Sequence, residues 1–275
     1  LVGQATSADA NIASRYTLVS IAAAILGGCE FSGGRVSPAG AVAGALTMTL
    51  AASFLTFLNV PPDFQIGVQG AILVLVLGLL VNVLAGALLA FTIFFYIAIY
   101  TMWLKRLTPQ NIVIGGAAGA FPPMVGWVSV TSSIDLGSIA LFLIIFTWTP
   151  PHFWALALWK KINADYSSAG VPMLPVVAGP DETRRQILIY TLLLVPVTLL
   201  PALTGTVGWL YLVANIGLGV MFIWHAWRVY RIREGQEAEI ACKKLFGFST
   251  MWLFIVFALI LVERALGLPL FAPVV

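Results

Sequence analysis

Long apolar runs separated by short polar connections dominate the chain. The clearest of these runs cover residues 111–131, 138–159, 186–203, 209–228 and 247–266. Each run is close to the ~20 apolar residues that cross a bilayer as one helix. The short alternating strands typical of a membrane β-barrel are absent from the pattern. The pattern therefore predicts an all-α, polytopic transmembrane helix bundle with about 7–9 membrane segments.

The apolar pattern is harder to divide before residue 105. Residues 36–58 form one predicted span, which ends at the sequence NVPPDF. Residues 69–104 are apolar over a length that is too great for one straight helix and short for two. We expect one tilted helix or a partly re-entrant element over 69–104, with two helices as the alternative.

Charged residues mark the connections between the apolar runs. Lysine and arginine are concentrated at residues 105–110, 160–185 and 228–246, whereas the connection after residue 131 carries only Asp135. Positive residues concentrate in the cytoplasmic loops of membrane proteins. The three basic connections are therefore predicted to be cytoplasmic, with the C-terminus on the opposite side. If the ambiguous apolar run is a single helix, Arg35 is cytoplasmic as well.

Composition agrees with an integral membrane protein. The chain is 60% hydrophobic and 9% charged, against roughly 25% charged residues in soluble domains. The net charge of +3 does not indicate nucleic acid as a partner, because the basic residues lie between apolar runs, where membrane topology places them. Cys29 and Cys242 have neither C-x-x-C nor zinc-site spacing, so reduced thiols are expected. The lipid bilayer is the expected surrounding.

A histidine interrupts one of the apolar runs, in the sequence TWTPPHFW. Pro150 and Pro151 remove two backbone donors and disfavour regular helix just before them. An ionisable side chain at membrane depth is costly and indicates function by default. Two interpretations of His152 stay open. It either serves a cofactor such as haem or accepts a proton, or it is a core histidine in a kinked helix, bonded to a neighbour.

Two polar segments follow the ends of apolar runs. Asp165, with Tyr166 beside it, lies in KKINADYSSAGVPMLP, and Lys105 and Arg106 lie in YTMWLKRLTPQN. A carboxylate among cations can hold hydrated Mg²⁺ against a phosphate, and the basic pair would suit a diphosphate. The alternative is that Asp165 is an ordinary loop aspartate that balances the charge of neighbouring lysines. Lys105 and Arg106 would then only mark the cytoplasmic end of a span. The small residues of GGAAGAFPPM, 115–124, predict close helix packing.

Two long stretches carry a family resemblance. The sequences AFTIFFYIAIYTMWLKRLTPQNIVIGGAAGAFPPMVGW, 90–127, and TWTPPHFWALALWKKINADYSSAGVPMLPVVAG, 147–179, closely resemble the protoheme IX farnesyltransferases of the UbiA-type intramembrane prenyltransferase superfamily. GGRVSPAGA, 33–41, adds a short matching island. The resemblance implies a helix bundle around a central cavity. It divides the chain into an atypical N-terminal segment, 1–34, and a prenyltransferase-like domain, 35–275.

The resemblance implies transfer of the farnesyl group of farnesyl diphosphate to a vinyl group of haem B, which is a substrate. The product is haem O for terminal oxidases. Mg²⁺ and basic residues would stabilise the departing diphosphate. By position, Asp165 is the catalytic and metal-binding candidate. The diphosphate-binding candidates are Lys105, Arg106 and Arg35, and the substrate-binding candidates are His152, Tyr166, Gln110 and Asn111.

The chain departs from the superfamily pattern near its start. The first superfamily motif, N-x-x-x-D-x-x-x-D, is expected just before the GRVSP island, but residues 1–34 contain only Asp9 and Glu30 as acids. Three alternatives therefore stay open: a haem farnesyltransferase, active or damaged; a non-catalytic or truncated haem- or isoprenoid-binding protein; and a prenyltransferase for another acceptor, such as a quinone precursor.

A bacterial plasma membrane is expected, with the mitochondrial inner membrane as the alternative. Haem A synthase and oxidase assembly proteins are the expected partners.

Overall fold

The computed structural model describes residues 38–59, 62–168 and 170–274, and its regular secondary structure is helical. Six of its helices are long and apolar enough to cross a membrane. They are Val83–Arg106, Asn111–Thr131, Leu136–Ala157, Gly179–Leu203, Trp209–Arg231 and Gly235–Ala265. The predicted all-α membrane bundle is confirmed, and these spans fall just short of the predicted number of segments.

The chain divides into two compact units. The first contains the described residues up to Ala90, together with Val128–Ser132, and the second contains Phe91–Trp127 and the residues from Ser133 onward. In the first unit, helix α1 occupies Pro38–Phe57, within the predicted span at 36–58. The elements that follow are helix α2, Pro62–Val76, a π-helical stretch, Leu77–Val81, and helix α3, Val83–Phe94.

A hairpin at Asn82 separates α2 and its π-helical extension from α3. The backbone of Asn82 is extended, and its side-chain oxygen accepts a hydrogen bond from the N–H of Ala85 at 2.8 Å, which caps α3. The two arms approach closely, since a Cβ on Gly86 would lie 2.6 Å from Cα of Gly78. The expectation of a single helix over residues 69–104 was therefore wrong. One amide cap and a glycine pair are enough to turn the chain inside a continuous apolar run.

In the second unit, the helical path of α3 continues through a π-helical stretch, Phe95–Trp103, and a 3₁₀ turn, Leu104–Arg106. The remaining helices are α4 (Asn111–Thr131), α5 (Leu136–Ala157), α6 (Lys160–Ser168), α7 (Leu174–Val177), α8 (Gly179–Val197), α9 (Leu200–Leu203), α10 (Trp209–Arg231) and α11 (Gly235–Ala265). Edge-to-face and tilted ring contacts join Phe91 to Phe121 and Phe121 to Phe142, so that α4 packs between the end of α3 and α5.

Helices α5, α8, α10 and α11 form the core of this unit. Helix α5 packs against α8 and α11, and α10 packs against the same two helices, which closes a four-helix arrangement. Large side chains fill its interior, where Trp154, Tyr211, Phe222 and Trp252 are fully buried. Phe222 meets Trp252 edge-to-face at 5.3 Å between ring centroids, the geometry that aromatic pairs prefer.

The two ends of this bundle differ in charge. We call the end where α5 is followed by α6, and α10 by α11, the basic end. The opposite end, formed by residues 133–135, 204–208 and 266–274, is called the tail end. Short connections make neighbouring helices antiparallel, so the start of α4 and the 105–110 segment also lie at the basic end. Every lysine and arginine from residue 38 to 274 lies at the basic end, except Arg264.

Two predicted loops at the basic end are partly helical. The predicted connection 160–185 contains α6 and the start of α8, and α11 begins at Gly235 inside the predicted connection 228–246. These predictions were wrong about the boundaries because the added helical turns are amphipathic and low in hydropathy. In the first turns of α11 the buried positions are Ala238, Ala241, Cys242 and Leu245, which recur at helical spacing beneath charged neighbours.

Candidate functional site

His152 lies inside α5, packed between two aromatic rings. The imidazole stacks on Trp148 at 4.2 Å and on Phe246 at 4.4 Å between centroids, and its exposed fraction is 7%. Its Nδ1 lies 2.7 Å from Oγ of Ser249 on α11. Both faces of the ring are therefore covered, and the edge that carries Nε2 is the part left for any further contact.

The Ser249 hydroxyl determines which tautomer of His152 fits. The hydroxyl donates to the carbonyl of Phe246 at 2.7 Å, and its single proton cannot also be shared with His152. We infer that Nδ1–H of His152 donates to Ser249, which leaves Nε2 as an acceptor. No described residue forms a hydrogen bond with Nε2. His152 is therefore a hydrogen-bonded core histidine that also has one basic nitrogen, Nε2, without a partner among the described residues.

Helix α5 continues without interruption through Pro150 and Pro151, both of which are buried. The break expected before the prolines is not present. The hydroxyls of Thr147 and Thr149 donate to the carbonyls of Leu143 and Ile145, one turn earlier, at 2.7 Å, so these polar side chains are satisfied within the helix. His152 is thus held on a regular helix, which fixes its position between α5 and α11.

Replacement of Ser249 by alanine is expected to destabilise the protein by about 1–3 kcal/mol, because it leaves the buried Nδ1–H of His152 without an acceptor. The measurement is the thermal unfolding midpoint of the purified protein in detergent. Thr250→Ala is the matched control, because the exposed Thr250 hydroxyl donates to the same Phe246 carbonyl but does not contact His152. Equal effects of the two substitutions would contradict the role assigned to Ser249.

An aromatic column continues from His152 towards the basic end. Trp159 meets Phe246 edge-to-face at 5.4 Å, and Nζ of Lys243 lies 5.6 Å from the centroid of the Trp159 ring. Lys243 also forms an ion pair with Glu239 at 2.7 Å. We did not predict Trp159 or Lys243 from the sequence, since an aromatic residue in an apolar run and a lysine in a charged segment carry no distinctive signal.

The 105–111 segment presents its polar residues in two ways. Lys105, Arg106 and Gln110 are exposed at the basic end, whereas Asn111 is 1% exposed at the start of α4. The Asn111 amide donates to the carbonyl of Lys105 at 3.2 Å, and its Oδ1 is buried with no hydrogen-bond partner in the described part of the chain. Asn111 therefore holds the turn that carries the basic pair, and only its oxygen is free for a ligand.

Asp165 and Tyr166 lie on α6, a short helix rather than the predicted loop. The amide of Asn163 donates to the carbonyl of Ala157 at 3.3 Å, which ties α6 to the end of α5. Asp165 is exposed, and its carboxylate forms no hydrogen bond or ion pair with any side chain that the structure describes. Tyr166 is partly buried and lies close enough to Tyr100 for the two phenol groups to interact electrostatically.

The structure brings some of the predicted site residues together and leaves others apart. Tyr166, next to Asp165, lies within electrostatic range of Tyr100, which precedes the 105–111 segment. His152 has its recorded partners on α5 and α11 only, and Arg35 lies outside the described residues. Within the described ranges, no three acidic, histidine or cysteine residues form a group that could hold a metal ion. A lone exposed carboxylate such as Asp165 fits Mg²⁺ only when substrate oxygens complete the ligand set.

The fold and the polar groups at the basic end define a helical integral membrane protein with a cation-rich site beside its apolar bundle. The chain belongs to the UbiA prenyltransferase family, whose model matches residues 64–256. A second family model, branched-chain amino acid transport system / permease component, matches residues 1–77. The 33–41 island thus lies outside the first match and inside the second, and the division at residue 35 stays a prediction.

Beyond residue 77, the model of the UbiA prenyltransferase family is the one that matches. The chain is 60% identical over 195 residues to a protoheme IX farnesyltransferase of Parvibaculum lavamentivorans, with 71% of the chain and 61% of the relative covered. It is 62% identical over 192 residues to that of Azorhizobium caulinodans, with 69% and 61% covered. The chain thus spans about six tenths of the length of these relatives. No solved structure matches it.

Proposed function

We propose that this chain transfers the farnesyl group of farnesyl diphosphate to a vinyl group of haem B and so forms haem O. The observation that carries the proposal is the 60% identity over 195 residues to a protein named protoheme IX farnesyltransferase. In the reaction, the bond between farnesyl C1 and oxygen breaks and its electrons leave with the diphosphate. The vinyl carbon forms the new carbon–carbon bond, and water then adds its oxygen and releases a proton.

Cations at the basic end are the proposed partners of the leaving diphosphate. Lys105 and Arg106 are exposed there, on a turn that Asn111 holds through the Lys105 carbonyl. Positive groups fixed where negative charge develops stabilise the transition state more than the ground state. Gln110, exposed beside them, adds a neutral donor, and Arg35 is a further proposed diphosphate contact.

Asp165 is the proposed ligand for a divalent cation, with Mg²⁺ as the specific ion. When bound, Mg²⁺ would neutralise charge on the diphosphate as it departs. Asp165 suits this role because its carboxylate is exposed and unpaired among the described side chains. Tyr166, next to it, is the proposed substrate contact on the same helix, within electrostatic range of Tyr100.

The proposed haem contacts are two side-chain atoms that can accept a hydrogen bond and have no partner among the described residues. They are Nε2 of His152 and Oδ1 of Asn111. The apolar surroundings suit both substrates, since exclusion of water protects an allylic cation until the vinyl carbon attacks it. The site is therefore proposed to extend from the basic surface into the helices.

The test is product formation in membranes that contain the chain, supplied with haem B, farnesyl diphosphate and Mg²⁺. Haem O is expected by mass, and Asp165→Asn is expected to reduce its formation at least tenfold, in line with loss of an electrostatic contact to the reacting group (~10²-fold or more in well-shielded sites). Glu237→Gln, an exposed acid at the start of α11, is the control and should change the yield less than twofold.

Two other results would replace the proposal. Binding of haem B without haem O would indicate a non-catalytic haem-binding protein, provided that a full-length relative is active in the same membranes. A prenylated quinone precursor formed in place of haem O would indicate another acceptor. Either result changes the function without changing the family.

The proposed location is the bacterial plasma membrane, with the basic end in the cytoplasm, since positive residues favour that side. Water-soluble farnesyl diphosphate would then reach Lys105 and Arg106 directly. The farnesyl chain of haem O would keep it in the bilayer, so haem A synthase and terminal oxidase assembly proteins are the proposed partners that receive it.

A further inference from the structure

The outward face of α10 changes in character along its length. Towards the tail end the exposed residues are aliphatic, and they include Val213, Ile216 and Val220. Nearer the basic end the same face carries Trp224 and Trp227, which are 52% and 47% exposed. These positions are three or four residues apart, so they form one stripe opposite the buried face of the helix.

Each tryptophan of this stripe carries an arginine from the next turn. The guanidinium carbon of Arg228 lies 5.1 Å from the centroid of the Trp224 ring, and that of Arg231 lies 5.8 Å from the Trp227 ring. Such cation–π pairs hold the guanidinium at the ring rather than leaving it free in solution. The two arginines are three residues apart, which places their side chains as neighbours on the helix surface.

These two arginines are not neutralised within the protein. Neither Arg228 nor Arg231 forms an ion pair with any residue that the structure describes, whereas Arg233, which follows them, pairs with Asp181 at 3.7 Å. The whole of α10 contains no aspartate or glutamate. The stripe therefore presents a net positive charge of its own.

The order of aliphatic, tryptophan and arginine residues matches the layers of a bilayer. Tryptophan is enriched at the level of the headgroups, and arginine beyond it meets phosphate. Trp224 and Arg231 are seven residues apart, or about 10 Å along the helix, which is enough to cross the polar interfacial layer of about 5–8 Å on one side of a membrane. A guanidinium is also suited to bidentate contact with phosphate oxygens.

We propose that Trp224, Trp227, Arg228 and Arg231 form a binding site for the headgroup of an anionic phospholipid on the outer face of α10. The phosphate lies between the two guanidinium groups, and the tryptophan rings pack beside the glycerol and the upper acyl chains. The site does not depend on the proposed prenyl transfer, because none of its residues lies among those proposed to contact the substrates.

The test uses the purified chain in a neutral detergent, with bound lipids counted by native mass spectrometry. Phosphatidylglycerol is titrated against phosphatidylcholine as the zwitterionic reference. The double variant R228Q/R231Q is expected to bind phosphatidylglycerol at least fivefold more weakly and phosphatidylcholine as the wild type does. The control is R185Q/R264Q, which removes the same charge from two arginines that do not stack on aromatic rings.

Unchanged phosphatidylglycerol binding in R228Q/R231Q would overturn the proposal, and so would an equal loss in R185Q/R264Q. A dimer of the wild type that dissociates in R228Q/R231Q, with lipid binding retained, would instead assign the stripe to contact between copies of this chain. The unfolding midpoint of each variant is measured first, so that a fold defect is not mistaken for lost binding.

Discussion

Replacement of Glu263 by alanine is expected to lower the free energy of unfolding by about 2–4 kcal/mol. Glu263 is 1% exposed near the end of α11, and its carboxylate accepts the N–H of Gly208 at 2.7 Å and that of Tyr211 at 2.9 Å. These amides lie at the start of α10, where the first N–H groups of a helix lack intrahelical partners. Alanine would leave both of them buried without an acceptor.

Glu263 also lies where the tail end of the bundle is assembled. The N–H of Leu268 donates to the carbonyl of Glu263 at 3.1 Å, and the N–H of Phe271 donates to that of Val207 at 3.1 Å. Glu263 thus joins α11 to the start of α10 through its carboxylate and to the C-terminal segment through its backbone carbonyl. A negative charge at a helix N-terminus is also favoured by the helix dipole, which offsets part of the cost of burying it.

The measurement is the unfolding midpoint in detergent, where the loss corresponds to a decrease of roughly 5–12 °C for a chain of this size. Glu263→Gln keeps one carbonyl acceptor and is expected to fall between the wild type and alanine. Glu239→Gln removes a partly exposed acid that pairs with Lys243, and a change below about 1 kcal/mol is expected. A higher midpoint for Glu263→Ala would mean that the desolvation cost of the carboxylate outweighs its two hydrogen bonds.

The sequence predicted the spans best where an apolar run ends at a clear signal. Helix α4 occupies the predicted residues 111–131, and α10 begins at the predicted Trp209, directly after the glycine of the connection. The prediction of helix boundaries failed where a helix extends beyond its apolar run, as in the first turns of α11, because amphipathic turns bury one face only. It failed again at Asn82, because a single polar residue hardly changes the average of a long apolar run.

The candidate site could be predicted residue by residue but not as an arrangement. Lys105, Asp165 and His152 were recognised because charged or ionisable groups are rare in this chain. Ser249, the partner of His152, lies 97 residues away in sequence and on another helix, so no local pattern connects them. The bond from Asn111 to the Lys105 carbonyl was also unpredictable, because it depends on the exact path of the turn between α3 and α4.

Replacement of Gly115 by alanine is expected to destabilise the protein by about 1–3 kcal/mol, as overpacking of a filled interior does. A Cβ at Gly115, on α4, would overlap the ring of Tyr100. Tyr100 also lies close to Tyr166 and precedes Lys105 by little more than one turn. A displaced ring would therefore disturb the proposed diphosphate site, and haem O formation is expected to fall together with the unfolding midpoint.

Gly119→Ala provides a matched control one turn further along the same helix. A Cβ at Gly119 would meet no atom within 4 Å, so alanine is expected to be neutral there or to stabilise the helix by up to about 1 kcal/mol. The two substitutions add the same methyl group to the same helix and differ in what that group contacts. A similar loss at both positions would mean that α4 needs glycine for its backbone conformation, and that close packing against Tyr100 is not the reason for Gly115.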